Sequence, residues 1–542
     1  MFDEFLDELR NPVMLVYMSM LLTWCVTSST QLGDSVELEF KAYRLQQYDI
    51  SGNPHGSRSW RVMYEAVSLD GNILRRCLIV NWHDLLGRDV QSLLNQVLGA
   101  VLIVVPDNLD TLTPSARSKL ASLETNLMFL KTDAAVYVVQ QEPRLQSIFA
   151  EVTAFSKRSP TAVQQLVNAI SANIFQFSSL ASISSNIITP KLTNVVGYLW
   201  STDRNVPTVV LVAHYDSHAV VPALAIGADS NGSGVAALLE LLSIFSRFYS
   251  SNTMKPKYNM IFLLTGGGKF NYQGSRHWLE EHIEKNNEMI IELVICLDSV
   301  GKRNGIMAHV SKIPIETSPV GRFFSLLKGT VPPNRTVEMV SKKINLNADM
   351  LAWEHEKFSM RRLSALTLSH YKSHTEPGRV SLLDTLAGVE IDVLEANVRA
   401  IGEALLAYVL NLPNTNCLRE ENIFTCSIMS SKDVNKQRLS YWLRQFGSKP
   451  RPSAGNNDAI VANLRDTVSR YTSGQVTVEN FSLVDISLYG VLEDYLTAHR
   501  AKPAIFELLL ATVIGTYLSA LYFVAPLLQT TVEATLIKLK KL

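Results

Sequence analysis

Three apolar runs constrain this chain more than anything else in it. Thr208 to Ala213, Asn259 to Leu264 and Ile290 to Leu297 are almost continuously hydrophobic. That is the pattern of strands buried on both faces, as the strands of a parallel sheet are. Between the first two, Gly234 to Phe248 places Val235, Leu238, Leu239, Leu242 and Phe245 on one helical stripe. Leu363 to Leu368 reads as a further strand and Val389 to Leu410 as a closing helix. The alternation predicts an α/β domain over residues 156–411 with a mostly parallel central sheet. Ligands of such sheets sit at the carboxyl ends of the strands, where His214, Asp216, Gly266 to Lys269, and Asp298 all fall.

The flanks hold more. Residues 31–155 mix strand-like runs (Leu38 to Tyr48, Arg76 to Val80, Ala100 to Val105, Ala134 to Val139) with helical spacing at Ser92 to Leu98 and Arg144 to Phe155. They form an N-terminal α/β lobe without a catalytic constellation. Residues 412–502 are more polar, with helical stretches at Asp433 to Phe446 and Ala459 to Tyr471 and a Pro/Gly/Asn-rich joint at Lys449 to Asn457. They read as a membrane-proximal segment.

Two uncharged runs bracket the chain. Pro12 to Val26 is short for a span, which needs about 20 apolar residues. With the small residues Thr27 to Thr30 behind it, segment 1–30 reads as a signal peptide or a retained signal anchor, although Asp3, Glu4, Asp7 and Glu8 are atypical of a signal peptide. Leu508 to Leu528 has the length of a membrane helix, so 503–528 is expected to span and 529–542 to be a short basic tail. A signal followed by a C-terminal span gives a single-pass type I protein with the bulk of the chain lumenal. The ending Lys538-Leu-Lys-Lys-Leu542 resembles a dilysine retrieval signal of the endoplasmic reticulum. Within the span, Ala511, Gly515 and Ser519 recur every four residues and share one helix face that suits close helix packing. A formal net charge of zero gives no basis for nucleic-acid binding. Cys417 and Cys426 are the one pair close enough in sequence for a local disulfide, and whether they form it is left open. Asn334, Asn480 and Asn231 open glycosylation sequons that a lumenal location would make usable.

The motifs at the strand ends carry a resemblance. Ala213-His-Tyr-Asp216, Gly227-Ala-Asp-Ser-Asn-Gly-Ser-Gly234, Gly266-Gly-Gly-Lys-Phe-Asn-Tyr-Gln-Gly-Ser275 and Trp353-Glu-His-Glu-Lys-Phe358 resemble the M28 family of zinc aminopeptidases, and within it the nicastrin-related, non-peptidase nicalin branch. The resemblance implies roles residue by residue. His214 falls on a metal ligand and Asp216 on the carboxylate that orients it. Asp298 and His374 fall on the remaining kept ligands. The bridging carboxylate immediately precedes the family's Asn-Gly-Ser-Gly, and here that residue is Ser230. Asp229 is one position early, and one residue at a helix start turns a side chain by roughly 100°. The paired glutamates, general base and ligand, precede the family's Gly-Ser by six and five residues, which lands on Gly268 and Lys269. An ammonium there opposes a metal ion.

Bridge, base and one terminal ligand are therefore replaced. The expectation is a pseudo-peptidase without catalytic residues, metal or other cofactor, serving as a lumenal scaffold. The resemblance further implies an endoplasmic reticulum complex with Nodal modulator and transmembrane protein 147, associated with the Sec translocon and ribosome during multi-pass membrane protein biogenesis, and links to Nodal signalling and receptor subunit assembly. Two rival readings stay open on the residues: a residually active enzyme with a single weak zinc on His214 and His374, and a peptide-binding receptor that uses the vestigial cleft.

Overall fold

The computed structural model describes residues 20, 36–501 and 504–539, except 98, 129, 157–173, 181–186, 252–255, 286–288, 303–304, 332–334, 413–427 and 431. The N-terminal apolar run (Met20 aside), Asn334, Cys417, Cys426 and Lys540 to Leu542 lie outside the described residues. The first part runs β1 (Val36–Arg44), β2 (Gln47–Ile50), β3 (Asn53–Ser57), β4 (Met63–Val67), β5 (Cys77–Asn81), α1 (Val90–Gln96), β6 (Ala100–Val105), α2 (Pro114–Met128), β7 (Lys131–Thr132), β8 (Ala135–Gln140) and α3 (Pro143–Ser156). The middle runs β9 (Ile174–Ser179), β10 (Ile187–Ile188), β11 (Leu192–Leu199), β12 (Thr208–His214), α4 (Gly232–Tyr249), β13 (Asn259–Thr265), α5 (Gln273–Leu279), β14 (Ile291–Leu297), β15 (Ile306–Val310), α6 (Pro319–Thr330), β16 (Val337–Ser341), α7 (His355–Ser359), β17 (Ala365–Ser369) and α8 (Ile391–Val409). The last part is α9 (Lys436–Gly447), α10 (Asp458–Tyr471), β18 (Val476–Phe481), β19 (Ile486–Tyr489), β20 (Glu493–Ala501) and α11 (Ala504–Leu539).

An eight-stranded sheet in the order β16-β15-β17-β14-β12-β13-β11-β18 forms the α/β body. The three apolar runs are its adjacent strands β13, β12 and β14, all parallel. Alternate side chains leave a strand on opposite faces, and here both sets are covered. Val209, Leu211 and Ala213 pack with α4, α6, α8, α9 and α10. Val210 and Val212 pack with Trp278 and Leu279 of α5 and Phe358 of α7. Helix α4 is buried on every side from Gly232 to Phe245. Parallel register then brings the ends of β12, β13 and β14 together at His214, Thr265 and Leu297.

The N-terminal lobe is a closed barrel, β1-β20-β9-β4-β5-β6-β8. Residues 31–155 alone do not build it. Strands β9 and β20, from 174–179 and 493–501, complete it, and β1 pairs with β20 from Val36↔His499 to Tyr43↔Glu493. The run Leu38 to Tyr48 is also not one strand. It divides at Leu45-Gln46 into β1 of the barrel and β2 of a separate five-stranded sheet, β10-β19-β2-β3-β7. Arg44, at this division, is buried and donates to the carbonyls of Ser57, Arg58 and Tyr489. The barrel docks on the α/β body through a cluster that joins Leu78, Val80, Ile103 and Leu127 to Val220, Val221 and Leu382.

Residues 436–501, part of the 412–502 stretch expected as a membrane-proximal segment, are distributed over all three sheets. Helix α9 packs on α4, β18 pairs with β11, β19 with β2, and β20 enters the barrel. A two-residue link joins β20 to α11, whose stretch Glu507–Val524 is 6% buried and the one helix among the described residues long and apolar enough to cross a membrane.

Candidate functional site: a buried cation cluster at the strand ends

His214 ends β12, Gly266 to Lys269 turn away from β13, and Asp298 follows β14. Asn231 opens α4, Glu354 precedes α7, and Arg379 and Asp384 reach in from the segment after β17. All of these residues are buried.

The centre is organised by two buried cations. Lys269 Nζ donates to Ser230 Oγ at 2.7 Å and to the Arg379 carbonyl at 3.1 Å. Burial pushes its ammonium down to about 8, with the Asp298 carboxylate acting against that. Arg379 Nη2 donates to Asp298 Oδ2 at 2.5 Å, and its guanidinium lies 4.1 Å over the Trp353 ring. Burial alone would raise Asp298, but Arg379, Lys269 and His214 together hold it well below the usual carboxylate range. Its other oxygen accepts from Ser299 N and Oγ.

Ser230 is held from three directions. Its N–H donates to Asp384 Oδ2 at 2.7 Å, its hydroxyl donates to the Arg379 carbonyl at 2.8 Å, and the same oxygen accepts from Lys269. Asp229 faces away from this cluster. Its carboxylate takes His370 Nε2 at 2.6 Å, Ser233 Oγ at 2.8 Å and Gly301 N at 2.9 Å. The one-residue offset thus sends it to a different network, as the helical turn requires. Burial and the neighbouring Asp229 raise Asp384.

One expected role is filled by another residue. Asp216 does not orient His214. It caps the glycine turn, accepting from Gly268 N at 2.8 Å, Lys269 N at 3.1 Å and Ser453 Oγ at 2.6 Å. Glu354 meets His214 instead, with Oε2 3.2 Å from Nδ1, while Thr265 and Ser275 donate to its other oxygen. The sequence signals Glu354 only through the Trp353 to Phe358 motif, without a role. His374 sits half-exposed on the turn before Arg379, to which it gives its carbonyl. His370 is the histidine that this segment buries. Asn231 occupies the N-cap position of α4 without capping it. Its Nδ2 donates to the carbonyls of His214 and Leu297, tying two strand ends together.

A zinc pair does not fit these residues. Ser230 has no carboxylate to bridge two ions, and an ammonium and a guanidinium already neutralise Asp298. Glutamate cannot be restored at Gly268 without rebuilding the site, because a Cβ there would lie 2.3 Å from His214 Cβ. His214 Nε2 lacks a partner, as a metal ligand would. Among the described residues, however, no three His, Cys, Asp or Glu side chains converge on it or anywhere else.

The joint at 449–457 lies across the centre as a strap. Arg451 is fully buried and donates to the carbonyls of Tyr215, Ile226 and Gly227. Nothing in the sequence distinguishes this arginine from a surface one. On the barrel side of the strap a cleft of about 860 Å³ is lined by Tyr43, Asp107, Leu109, Gln140 and Pro450. On the other side a cavity of about 210 Å³ runs between Thr193, Asp216, Gly266 and Asn457.

Residues 194–388 match peptidase family M28. Similarity over the full length is narrower. The chain is 41% identical over 564 aligned positions to the protein named nicalin of Caenorhabditis elegans, covering 99% of each. The chain belongs to the nicalin family. A Homo sapiens relative, named BOS complex subunit NCLN, is 34% identical over 93% of this chain and 92% of its own. The crystal structure of nicastrin, named a γ-secretase component, matches with a TM-score of 0.57 at 9% identity, covering 86% of this chain and 100% of that one. At that identity the nicalin family and nicastrin share a fold, and the M28 match lies within the part of it that contains the rebuilt centre.

Proposed function

We propose that this nicalin-family chain is a non-catalytic subunit of a BOS-type complex in the endoplasmic reticulum membrane, supporting multi-pass membrane protein biogenesis at the Sec translocon. The single observation that carries the non-catalytic reading is the Lys269–Ser230–Arg379–Asp298 cluster, where one cation holds the serine at the bridging position and the other pairs with Asp298. The relatives named BOS complex subunits support membership of the complex. The exposed apolar helix α11 supports anchoring by a C-terminal span, and this reading assigns the α/β body and barrel to the lumenal side. Nodal modulator and transmembrane protein 147 are the partners this reading assigns.

The test is affinity purification of the full chain from mild detergent. Co-purification of two membrane partners with translocon subunits is expected, and recovery of a free monomer would overturn the scaffold reading. Metal content of the same preparation decides the enzymatic rival. Stoichiometric zinc with aminopeptidase turnover, both lost in His214→Ala, would sink the pseudo-peptidase reading.

A further inference from the structure

The chain's sequons occupy different environments in the fold. Asn231 is fully buried, and its Nδ2 is spent on two strand-end carbonyls. A Cβ on Gly234 would lie 2.0 Å from its Oδ1, so no sugar fits beside it. Asn480 is exposed near the end of β18, and Ser482 of the same sequon is exposed in the turn that follows. Its Oδ1 accepts from Thr193 Oγ1 at 2.9 Å across the strand pair, which orients the amide. Its Nδ2 has no partner among the described residues.

The position matters as well as the access. β18 is a terminal strand of the eight-stranded sheet, paired with β11 on one side only. Bare edge strands are templates for pairing with other chains, and proteins blunt them with lysine, proline or a cover. β18 reads Val-Thr-Val-Glu-Asn-Phe, and its one charge, Glu479, is engaged by His282 at 2.6 Å. Val478 remains 40% exposed on the same face as Asn480. Thr193, opposite Asn480, also lines the 210 Å³ cavity that reaches Asp216.

We propose that Asn480 carries an N-linked oligosaccharide that covers this sheet edge and the rim of the adjoining cavity. In the transfer, Asn480 Nδ2 forms a bond to C1 of the sugar while the C1–O bond to a lipid pyrophosphate donor breaks. The pyrophosphate leaves with the electron pair, and the amide gives up one proton. The inference rests on the lumenal placement proposed above, so its test carries a topology control.

The full chain is expressed in secretory-competent cells as wild type, Asn480→Gln, Ser482→Ala and Asn347→Thr. The last creates an Asn345-Leu-Thr sequon on an exposed turn and reports lumenal access alone. Ser482→Ala removes the sequon while leaving the Asn480–Thr193 bond in place. The expected result is that Asn480→Gln and Ser482→Ala each migrate one glycan step below wild type, and that all three converge after glycosidase treatment. If the Asn347→Thr reporter gains a glycan while Asn480→Gln and Ser482→Ala co-migrate with wild type, the proposal is overturned and the lumenal reading stands. If neither wild type nor the reporter responds to glycosidase, the lumenal reading falls and the proposal with it.

Discussion

At the scale of single residues, the centre is a charge balance among Lys269, Arg379 and Asp298. Removing one partner of a buried ion pair strands the other charge at a cost of about 3–5 kcal/mol, whereas removing both is far milder. Arg379→Met should therefore lower stability in chemical denaturation by about that amount, and Asp298→Asn/Arg379→Met should recover most of it. Lys269 has a testable pH signature. Its folded value of about 8 lies below the ordinary 10.5. Between those pH values the unfolded chain holds a proton that the folded chain lacks, so stability rises with pH across that window. The rise should be absent in Lys269→Met. Gly268→Ala should cost about 1–3 kcal/mol of overpacking, and a double-mutant cycle with His214→Gly, which removes the Cβ that the new methyl meets, should show most of it to be coupling between the two sites. The departures of Ser230, Gly268 and Lys269 from the M28 pattern are legible in sequence because they fall inside counted motif spacings. Arg379 and Glu354 are not, since their roles depend on which turns face the centre in three dimensions.

At the scale of elements, legibility follows burial. β12, β13 and β14 announce themselves because both of their faces are covered, so nearly every residue is apolar. β20 does not. Its Glu493-Asp-Tyr-Leu-Thr-Ala-His-Arg-Ala501 reads as polar, and only alternate positions such as Leu496 and Ala498 enter the barrel. α2 escapes a sequence reading for a similar reason, with Leu120, Leu123 and Leu127 its only buried apolar side chains in a polar helix. The strap reads as a linker because its anchor is one arginine rather than an apolar stripe. Arg451→Ala leaves the carbonyls of Tyr215 and Ile226 without this donor, while that of Gly227 keeps the Gly232 N–H, and an orphaned buried group costs roughly 1–3 kcal/mol. Loss of hydrogen-exchange protection confined to the strap and to Tyr215–Gly227 is the expected readout, while exchange across β4 to β8 should not change.

At the scale of the whole molecule, buried neutral histidines set the acid limit. Burial pushes His218 and His309 down to about 4 and His355 to about 3. Unfolded histidines titrate near 6.5, so stability is fully present above that value and falls as acid drives protons onto the unfolded chain, until pH nears 4. Each proton contributes about 1.4 kcal/mol per pH unit to the slope. Unfolding free energies between pH 6.5 and 4.5 should therefore fall less steeply in His355→Asn than in wild type, by about one proton. A final consequence concerns order of synthesis. The barrel's first strand, β1, pairs with β20, and only two residues separate β20 from α11. The lobe that leaves the ribosome first thus waits for nearly the last strand made before it can close. With α11 as the proposed span, the closing strand arrives tethered to that helix, and the proposal places final folding of the N-terminal lobe at the bilayer, coupled in time to the seating of the anchor.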